Sequence, residues 1–169
     1  MATTTGNDLI AESLKRIGVE NFFFLMGGPM NDALPRIMKK GIRGVDVRHE
    51  QAAAMAAQAY ARVRNTPGLC MAASGPGTIN LTTGIANALI DCAPVVAFGG
   101  SSPIIGYGTG AFQEIDQVAI MKPVTKHAER VHEPRRIPEL IDLAFRQSIS
   151  GKPGPVYLDF PQDVLYGVF

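Results

Sequence analysis

The sequence predicts a single α/β domain of three layers, α/β/α, with helices covering both faces of a central, mostly parallel sheet of about six strands. Predicted strands and helices alternate along all 169 residues. The predicted strands are continuously apolar, as in strands that are buried on both faces of a parallel sheet. Glycine and proline stand at the ends of apolar runs, and no repeat or linker is visible, so residues 1–169 are expected to form one domain.

Each element follows from the spacing of its apolar residues. Residues 5–17 place apolar side chains at helical spacing and end before Gly18, with Thr5 or Asn7 as the cap. The next predicted elements are a strand over 21–26, a helix over 30–40, a strand over 44–48, a helix over 51–64, a strand over 69–74, a helix over 76–92 and a strand over 94–100. Residues 101–116 are glycine-rich and predict a long loop. A short helix over 114–121, a short strand over 125–131, an amphipathic helix over 137–150 and a last strand over 154–161 complete the chain.

Composition excludes several classes of protein. Apolar residues make up 46% and charged residues 18% of the chain, which indicates a globular protein with a sizeable core. The net charge is +1 and the basic residues are scattered, so no nucleic-acid partner is expected. No signal peptide and no apolar stretch of membrane-spanning length is visible, so we expect a cytoplasmic protein without a membrane partner. The three histidines and two cysteines lack metal-ligand spacing, and no metal site is predicted within the chain.

The ends of the predicted strands point to a site. In open α/β sheets ligands bind beyond the carboxyl ends of the strands. The residues that follow the strands are Gly27-Gly28-Pro29, His49-Glu50, Ser74-Gly75-Pro76-Gly77, Gly99-Gly100-Ser101-Ser102 and the loop up to Gln113. These segments are the candidate site.

The turn SGPGTIN, residues 74–80, has two interpretations. A glycine-rich turn between a strand and a helix can cradle a phosphate group at the helix N-terminus. The dinucleotide fingerprint, however, requires glycine or alanine where this chain has Asn80, and the acidic residue of that fingerprint is missing. The other interpretation is a tight turn whose glycines allow close packing, with Asn80 on the helix surface.

Glu50 also has two interpretations. In the first turn of a helix, a carboxylate complements the helix dipole. At the end of an apolar strand and before an alanine-rich helix face, the same carboxylate is partly desolvated and can share a proton with a ligand nitrogen. Position alone does not decide between these two roles.

Five ordered motifs resemble those of a known family. They are RHEQAAAMAAQAYAR, ASGPGTINLTTGIANALIDCAPVVAFGG, AFQEID, KPVTKH and GKPGPVYLDFPQDV. Together they are similar to the N-terminal, pyrimidine-binding domain of thiamine-diphosphate-dependent enzymes of the acetolactate synthase type. The resemblance implies that Glu50 hydrogen-bonds N1′ of the cofactor's aminopyrimidine and favours the imino tautomer, whose 4′-imino nitrogen removes the proton from thiazolium C2.

The resemblance assigns further roles residue by residue. Pro76 and Asn80 match positions close to the pyrimidine. Gly28 and Pro29, with Gly27 before them, match a loop over the active site, although MGGPM departs from the family's usual GxPG pattern. Phe112 and Gln113 match residues on the substrate side.

The resemblance also implies a partner. The family binds the diphosphate through Mg²⁺ in a separate domain that carries a GDG motif, and neither that motif nor a middle domain occurs in this sequence. We therefore expect the chain to bind only the pyrimidine end of thiamine diphosphate. Its expected partner is the diphosphate-binding domain of another chain or subunit, in a homodimer or higher oligomer. The isolated chain is expected to be inactive and to bind no cofactor measurably.

The reaction is open at this stage. The family often has aspartate before AFQE, whereas this chain has Gly110-Ala111 there. Lyases of 2-hydroxyacyl-CoA and decarboxylases of oxalyl-CoA share much of the domain, and they are alternatives to an acetolactate synthase-like carboligase or decarboxylase. A non-catalytic module derived from the family is a further alternative.

Overall fold

A computed structural model describes residues 3–168 and contains a six-stranded sheet whose strands are all parallel. The strands are β1 (Asn21–Phe24), β2 (Arg43–Asp46), β3 (Gly68–Ala72), β4 (Val95–Ser101), β5 (His127–Arg130) and β6 (Val156–Pro161). Their order across the sheet is β2-β1-β3-β4-β6-β5. The carboxyl ends of all six strands therefore meet at one edge.

Helices connect the strands. They are α1 (Gly6–Ile17), α2 (Ala33–Lys39), α3 (Glu50–Arg64), α4 (Pro76–Asn80), α5 (Thr82–Ile90), α6 (Gln117–Met121), α7 (Ile137–Ile149) and α8 (Gln162–Tyr166). Short 3-10 turns cover Met30–Asp32, Ile104–Gly106, Lys122–Val124 and Pro134–Arg136. The predicted cap and stop of the first helix are confirmed. Thr5 forms a capping box with Asp8, and Gly18 closes the helix at φ 86°.

Two apolar cores lie on opposite faces of the sheet. Successive residues of β3 alternate between them: Leu69 and Met71 pack in one, Cys70 and Ala72 in the other. Helices α1, α2 and α7 cover the first core, and α3, α5 and α6 cover the second. The predicted three-layer α/β/α fold with a parallel sheet is therefore confirmed.

The predicted helix over 76–92 is two helices. At Leu81 the backbone N–H donates to the carbonyl oxygen of Thr78 at 3.1 Å, three residues back instead of four. This tight turn separates α4 from α5.

The structure also differs from the prediction at the start of α6 and after the last strand. The short helix predicted from residue 114 begins at Gln117, because the Asp116 carboxylate caps it by accepting from the N–H of Ala119 at 3.0 Å. The last strand is followed by α8, which the sequence analysis does not predict.

Candidate active site

The candidate site lies where the connections of the sheet change direction. The helix after β1, α2, packs on one face, whereas the helices after β3 lead to the opposite face. Since β1 and β3 are neighbours, a crevice opens between their carboxyl ends, which is the usual ligand position in doubly wound sheets. The Gly27–Pro29 loop and the Ser74–Gly77 turn border this crevice, and the N–H of Ser74 donates to the carbonyl oxygen of Gly28 at 2.9 Å.

Glu50 is the first residue of α3 and is only 7% exposed. The residue before it, His49, is extended, and its Nδ1 caps the helix by accepting from the N–H of Gln51 at 3.1 Å. The carboxylate lies at the positive end of the helix dipole, which stabilises it by about 0.3–1 kcal/mol. The dipole role and a chemical role are thus compatible at this position.

The two oxygens of the Glu50 carboxylate differ in their surroundings. Oε2 accepts a hydrogen bond from the side-chain amide of Asn80 at 2.9 Å. Within residues 3–168, Oε1 has no hydrogen-bond partner, and it would lie 3.1 Å from a Cβ atom placed at Gly77. The absence of a side chain at Gly77 therefore gives the carboxylate its space. One oxygen is held and the other is available to a ligand.

This arrangement answers the question about the SGPGTIN turn. Gly77 makes room for a carboxylate, and Asn80 stands where the dinucleotide fingerprint requires a third glycine and donates to that carboxylate. Asn80 is exposed on the helix surface, as predicted, and its side-chain amide also hydrogen-bonds Glu50. The contacts favour the close-packing interpretation of the turn.

The predicted substrate-side residues pack on the same turn. Gln113 adopts the left-handed conformation at φ 58°, and its Oε1 accepts from the hydroxyl of Ser74 at 2.8 Å. Gly75, at φ 56°, faces the backbone of Gln113 so closely that a Cβ atom would overlap its carbonyl oxygen. The adjacent side chain of Phe112 is 84% exposed at the rim.

Not all predicted site residues come together in one place. Glu50, Gly77 and Asn80 form one group. The lining of a hollow of about 270 Å³ includes Gly28, Pro29, Ser74, Ser102 and Phe112 and none of these three residues. Pro76 begins α4 and is exposed.

A buried polar network behind the turn was not predicted from the sequence. Asp159, which is fully buried on β6, accepts from Tyr157 at 2.7 Å, Ser101 at 2.8 Å, Arg130 at 2.7 Å and Gln117 at 2.6 Å. Burial acts to lower the pKa of Arg130, but its hydrogen bond and ion pair with Asp159 outweigh burial and raise that pKa. Burial, together with the charge of Asp159, raises the pKa of the Tyr157 hydroxyl well above its usual range.

Across residues 3–168, no group of three or more histidine, cysteine or acidic side chains is placed to hold a metal ion. In the same part of the chain, no helix combines the length and apolar character that a membrane span requires.

Comparison with known proteins identifies a family. Residues 4–120 match the family model described as thiamine pyrophosphate enzyme, N-terminal TPP binding domain. This match covers the crevice, Glu50, the glycine turn and the loop with Gln113.

Relatives from distant organisms match nearly the whole chain. Acetolactate synthase of Arthrospira platensis is 45% identical over 164 residues, which are 95% of this chain and 28% of that protein. The chloroplastic acetolactate synthase of Arabidopsis thaliana is 44% identical over 94% of this chain and 24% of its own length. A 2-hydroxyacyl-CoA lyase 2 of Caenorhabditis elegans is 40% identical over 95% of this chain and 25% of its own length. The chain thus spans roughly a quarter of these relatives.

Proposed function

The chain belongs to the thiamine pyrophosphate enzymes, in which it is the N-terminal, acetolactate synthase-like domain, and on this premise we propose that Glu50 activates the aminopyrimidine of thiamine diphosphate. The family resemblance stated from the sequence motifs is confirmed. The role of the glutamate and of the other site residues is our proposal.

The observation that carries the proposal is the asymmetric environment of the Glu50 carboxylate. Asn80 holds Oε2, and Oε1 is free of protein hydrogen bonds within residues 3–168. The residue is nearly buried at the crevice between β1 and β3, so a ligand nitrogen at Oε1 would replace little water. A fixed carboxylate with one open oxygen suits the holding and exchange of a proton at N1′ of an aminopyrimidine.

The residues around Glu50 fit the pyrimidine end of the cofactor. Gly77 and Ala73 present small groups beside the carboxylate, which leaves room for a planar ring. When bound, thiamine diphosphate supplies an acidic thiazolium C2 and an electron sink for carbanion chemistry at a carbonyl carbon. This chain's contribution is to orient the ring and to hold the proton at N1′ through Glu50.

The other site residues have supporting roles in the proposal. Asn80 fixes the Glu50 carboxylate, and Pro76 begins the short helix that carries Asn80. Gly28 and Pro29 border the cofactor from the β1 loop. Phe112 and Gln113 face the substrate, which is consistent with the 84% exposure of the Phe112 side chain and the anchoring of Gln113 by Ser74.

We further propose a partner that completes the site. The chain spans roughly a quarter of its relatives, and no metal-binding cluster lies in residues 3–168. A diphosphate-binding domain with Mg²⁺, on another chain or subunit, would bind the rest of the cofactor. Large apolar side chains are exposed on the loops near the crevice, among them Met26, Ile105 and Phe112. These side chains support a docked domain at this edge and assembly as a homodimer or higher oligomer.

The test is proton exchange at thiazolium C2 of thiamine diphosphate. It is measured in the complete enzyme, in which this domain is assembled with the diphosphate-binding domain. Exchange is followed by NMR in deuterated buffer for wild type and Glu50→Gln. We expect Glu50→Gln to exchange at least about a hundredfold more slowly, the lower end for a general acid–base group. Glu20→Gln, at the opposite end of β1, is the matched control and should exchange like wild type. Equal rates for wild type and Glu50→Gln would refute the assignment.

Two reaction types are compatible with the site. Carboligation or decarboxylation of 2-keto acids follows from the acetolactate synthases among the relatives. Lysis of 2-hydroxyacyl-CoA is the second candidate, favoured by the lyase of Caenorhabditis elegans at 40% identity. Turnover of a short 2-keto acid and of a 2-hydroxyacyl-CoA by the same preparation distinguishes them, since each candidate predicts activity on its own substrate.

A further inference from the structure

We propose that Gln117 is a positioning residue for the cofactor-activating carboxylate, because it holds the turn that carries Asn80 against Glu50. The inference rests on the function proposed above. Gln117 begins α6, more than sixty residues from Glu50 in sequence, and is 1% exposed. It does not reach the carboxylate itself and acts through Gly75.

Every polar atom of the Gln117 side chain is engaged. Oε1 accepts a hydrogen bond from the backbone N–H of Gly75. Nε2 donates to the carbonyl oxygen of Gly100 at 2.9 Å, to the hydroxyl of Tyr157 at 2.9 Å and to Oδ1 of Asp159 at 2.6 Å. Because these groups are buried, the amide has one orientation in which its donors and acceptor are all paired.

The anchor on the far side is rigid. Asp159 is fully buried and is held by three further side chains, Tyr157, Ser101 and Arg130, at 2.7–2.8 Å. Gln117 therefore connects a fixed point on β6 to the turn after β3.

The turn depends on this connection. Gly75 has φ 56° and ψ −114°, and it precedes α4 without a side chain that could cap the helix. Within residues 3–168, the Gly75 N–H donates to the side-chain oxygen of Gln117 and to no other acceptor. Helix α4 has only five residues and ends at Asn80, whose amide lies 2.9 Å from Glu50 Oε2. Movement of Gly75 therefore moves the group that orients the carboxylate.

The experiment compares three variants with wild type. Each is measured in the complete enzyme, in which this domain is assembled with the diphosphate-binding domain. Gln117→Met keeps the side-chain volume and removes all four hydrogen bonds. Gln147→Met makes the same substitution on α7, outside the network, where within residues 3–168 the buried side-chain oxygen of Gln147 has no hydrogen-bond partner. Gln117→Glu introduces a carboxyl group that faces Asp159, with Tyr157 and Arg130 as the other titratable or charged side chains of the network. When protonated, this group can accept from Gly75 and donate to Asp159.

Two readouts are used. Amide hydrogen exchange of residues 74–80, measured without cofactor, reports on the turn directly. Proton exchange at thiazolium C2 reports on Glu50. For Gln117→Met we expect amide exchange of the turn to rise at least about tenfold and C2 exchange to fall about tenfold. Gln147→Met should stay within about twofold of wild type in both readouts. Gln117→Glu should approach wild type at low pH and lose C2 exchange more steeply than wild type as the pH rises.

The possible outcomes separate the two proposals. Wild-type values for Gln117→Met in both readouts, or an equal loss in Gln147→Met, would overturn the positioning role. If Gln117→Met does not fold, Gln117→Glu tests the positioning role. A dependence of the C2 exchange rate on pH that is parallel to wild type overturns the role. A steeper fall as the pH rises supports it. If wild type itself exchanges no faster than Glu50→Gln, the proposed function of Glu50 fails instead.

Discussion

Replacement of Gly77 by alanine is expected to slow cofactor activation while the free energy of unfolding stays nearly constant. The added Cβ atom would lie 3.1 Å from Glu50 Oε1 and 3.1 Å from the Cβ atom of Ala73. Both distances are a few tenths of an ångström shorter than ordinary contacts. Ala73 is fixed by the backbone at the end of β3, so the Glu50 carboxylate is the group that moves.

The magnitude follows from two opposing terms. Overpacking of this kind costs about 1 kcal/mol at the lower end of its range. An alanine within α4 regains roughly 0.5–1 kcal/mol relative to glycine. The two terms nearly cancel in stability. Displacement of a reacting group by about 1 Å lowers rates on the order of a hundredfold, so a shift of a few tenths should lower the C2 exchange rate about tenfold.

The assay is C2 proton exchange by NMR alongside urea unfolding of the same preparations. Gly106→Ala is the matched control, because a Cβ atom there would meet its nearest neighbours at an ordinary 3.8 Å. This control should match wild type in the exchange rate and should be as stable as wild type or slightly more stable in urea, because alanine restricts the unfolded chain more than glycine does. A wild-type exchange rate in Gly77→Ala would refute the reasoning that Gly77 provides space for the carboxylate.

Three further predictions concern stability, thiol reactivity and binding. Although partial burial acts to raise the pKa of Asp8, its hydrogen bonds with Thr5 and its pairing with Arg36 hold that pKa below its ordinary value of 3.8. The stabilisation by Asp8 is thus complete above about pH 4 and is lost as the pH falls through the lowered pKa. When the free energy of unfolding is measured against pH, Asp8→Asn should therefore decrease less steeply in acid than wild type. The same acid dependence in both proteins would contradict this. Burial raises the pKa of the Cys70 thiol to about 12, whereas Cys92 is partly exposed. A thiol reagent at pH 8 should therefore label Cys92 in the folded protein and Cys70 only after unfolding. Rapid labelling of both thiols in the folded protein would contradict the packing of Cys70. Calorimetry of the isolated chain with thiamine diphosphate should give no measurable binding. A micromolar Kd would show that the chain binds the cofactor without a diphosphate-binding domain.

The fold could be predicted from the sequence, and so could the edge of the sheet at which the candidate site is proposed. Continuous apolar strands alternating with helices determine a parallel sheet, and the strand-end rule then identifies Glu50, Ser74 and Gly28 as neighbours of one edge. The pattern could not reveal the switch point between β1 and β3, because strand order depends on which face each helix covers.

The finer contacts could not be predicted from the sequence. Asn80 and Glu50 are thirty positions apart, and their contact depends on the tight turn at Leu81 that ends α4. Asp159 lies within VYLDFP, an apolar run in which a single acidic residue gives no periodic signal. A buried acid in such a run is nevertheless a hint, because it requires partners. Here those partners include Gln117, whose helix is more than forty residues away in the chain.

The most direct test of the central claim is the protonation state of N1′ in the bound cofactor. Thiamine diphosphate labelled with ¹⁵N at N1′ is bound to the full-length protein and its diphosphate-binding half, and the ¹⁵N resonance is compared between wild type and Glu50→Gln at saturating cofactor. If Glu50 holds the proton, N1′ is hydrogen-bonded in wild type and its ¹⁵N resonance moves toward that of the protonated form, and this shift is lost in Glu50→Gln. The same N1′ resonance in both proteins would contradict the claim that Glu50 holds the proton at this atom.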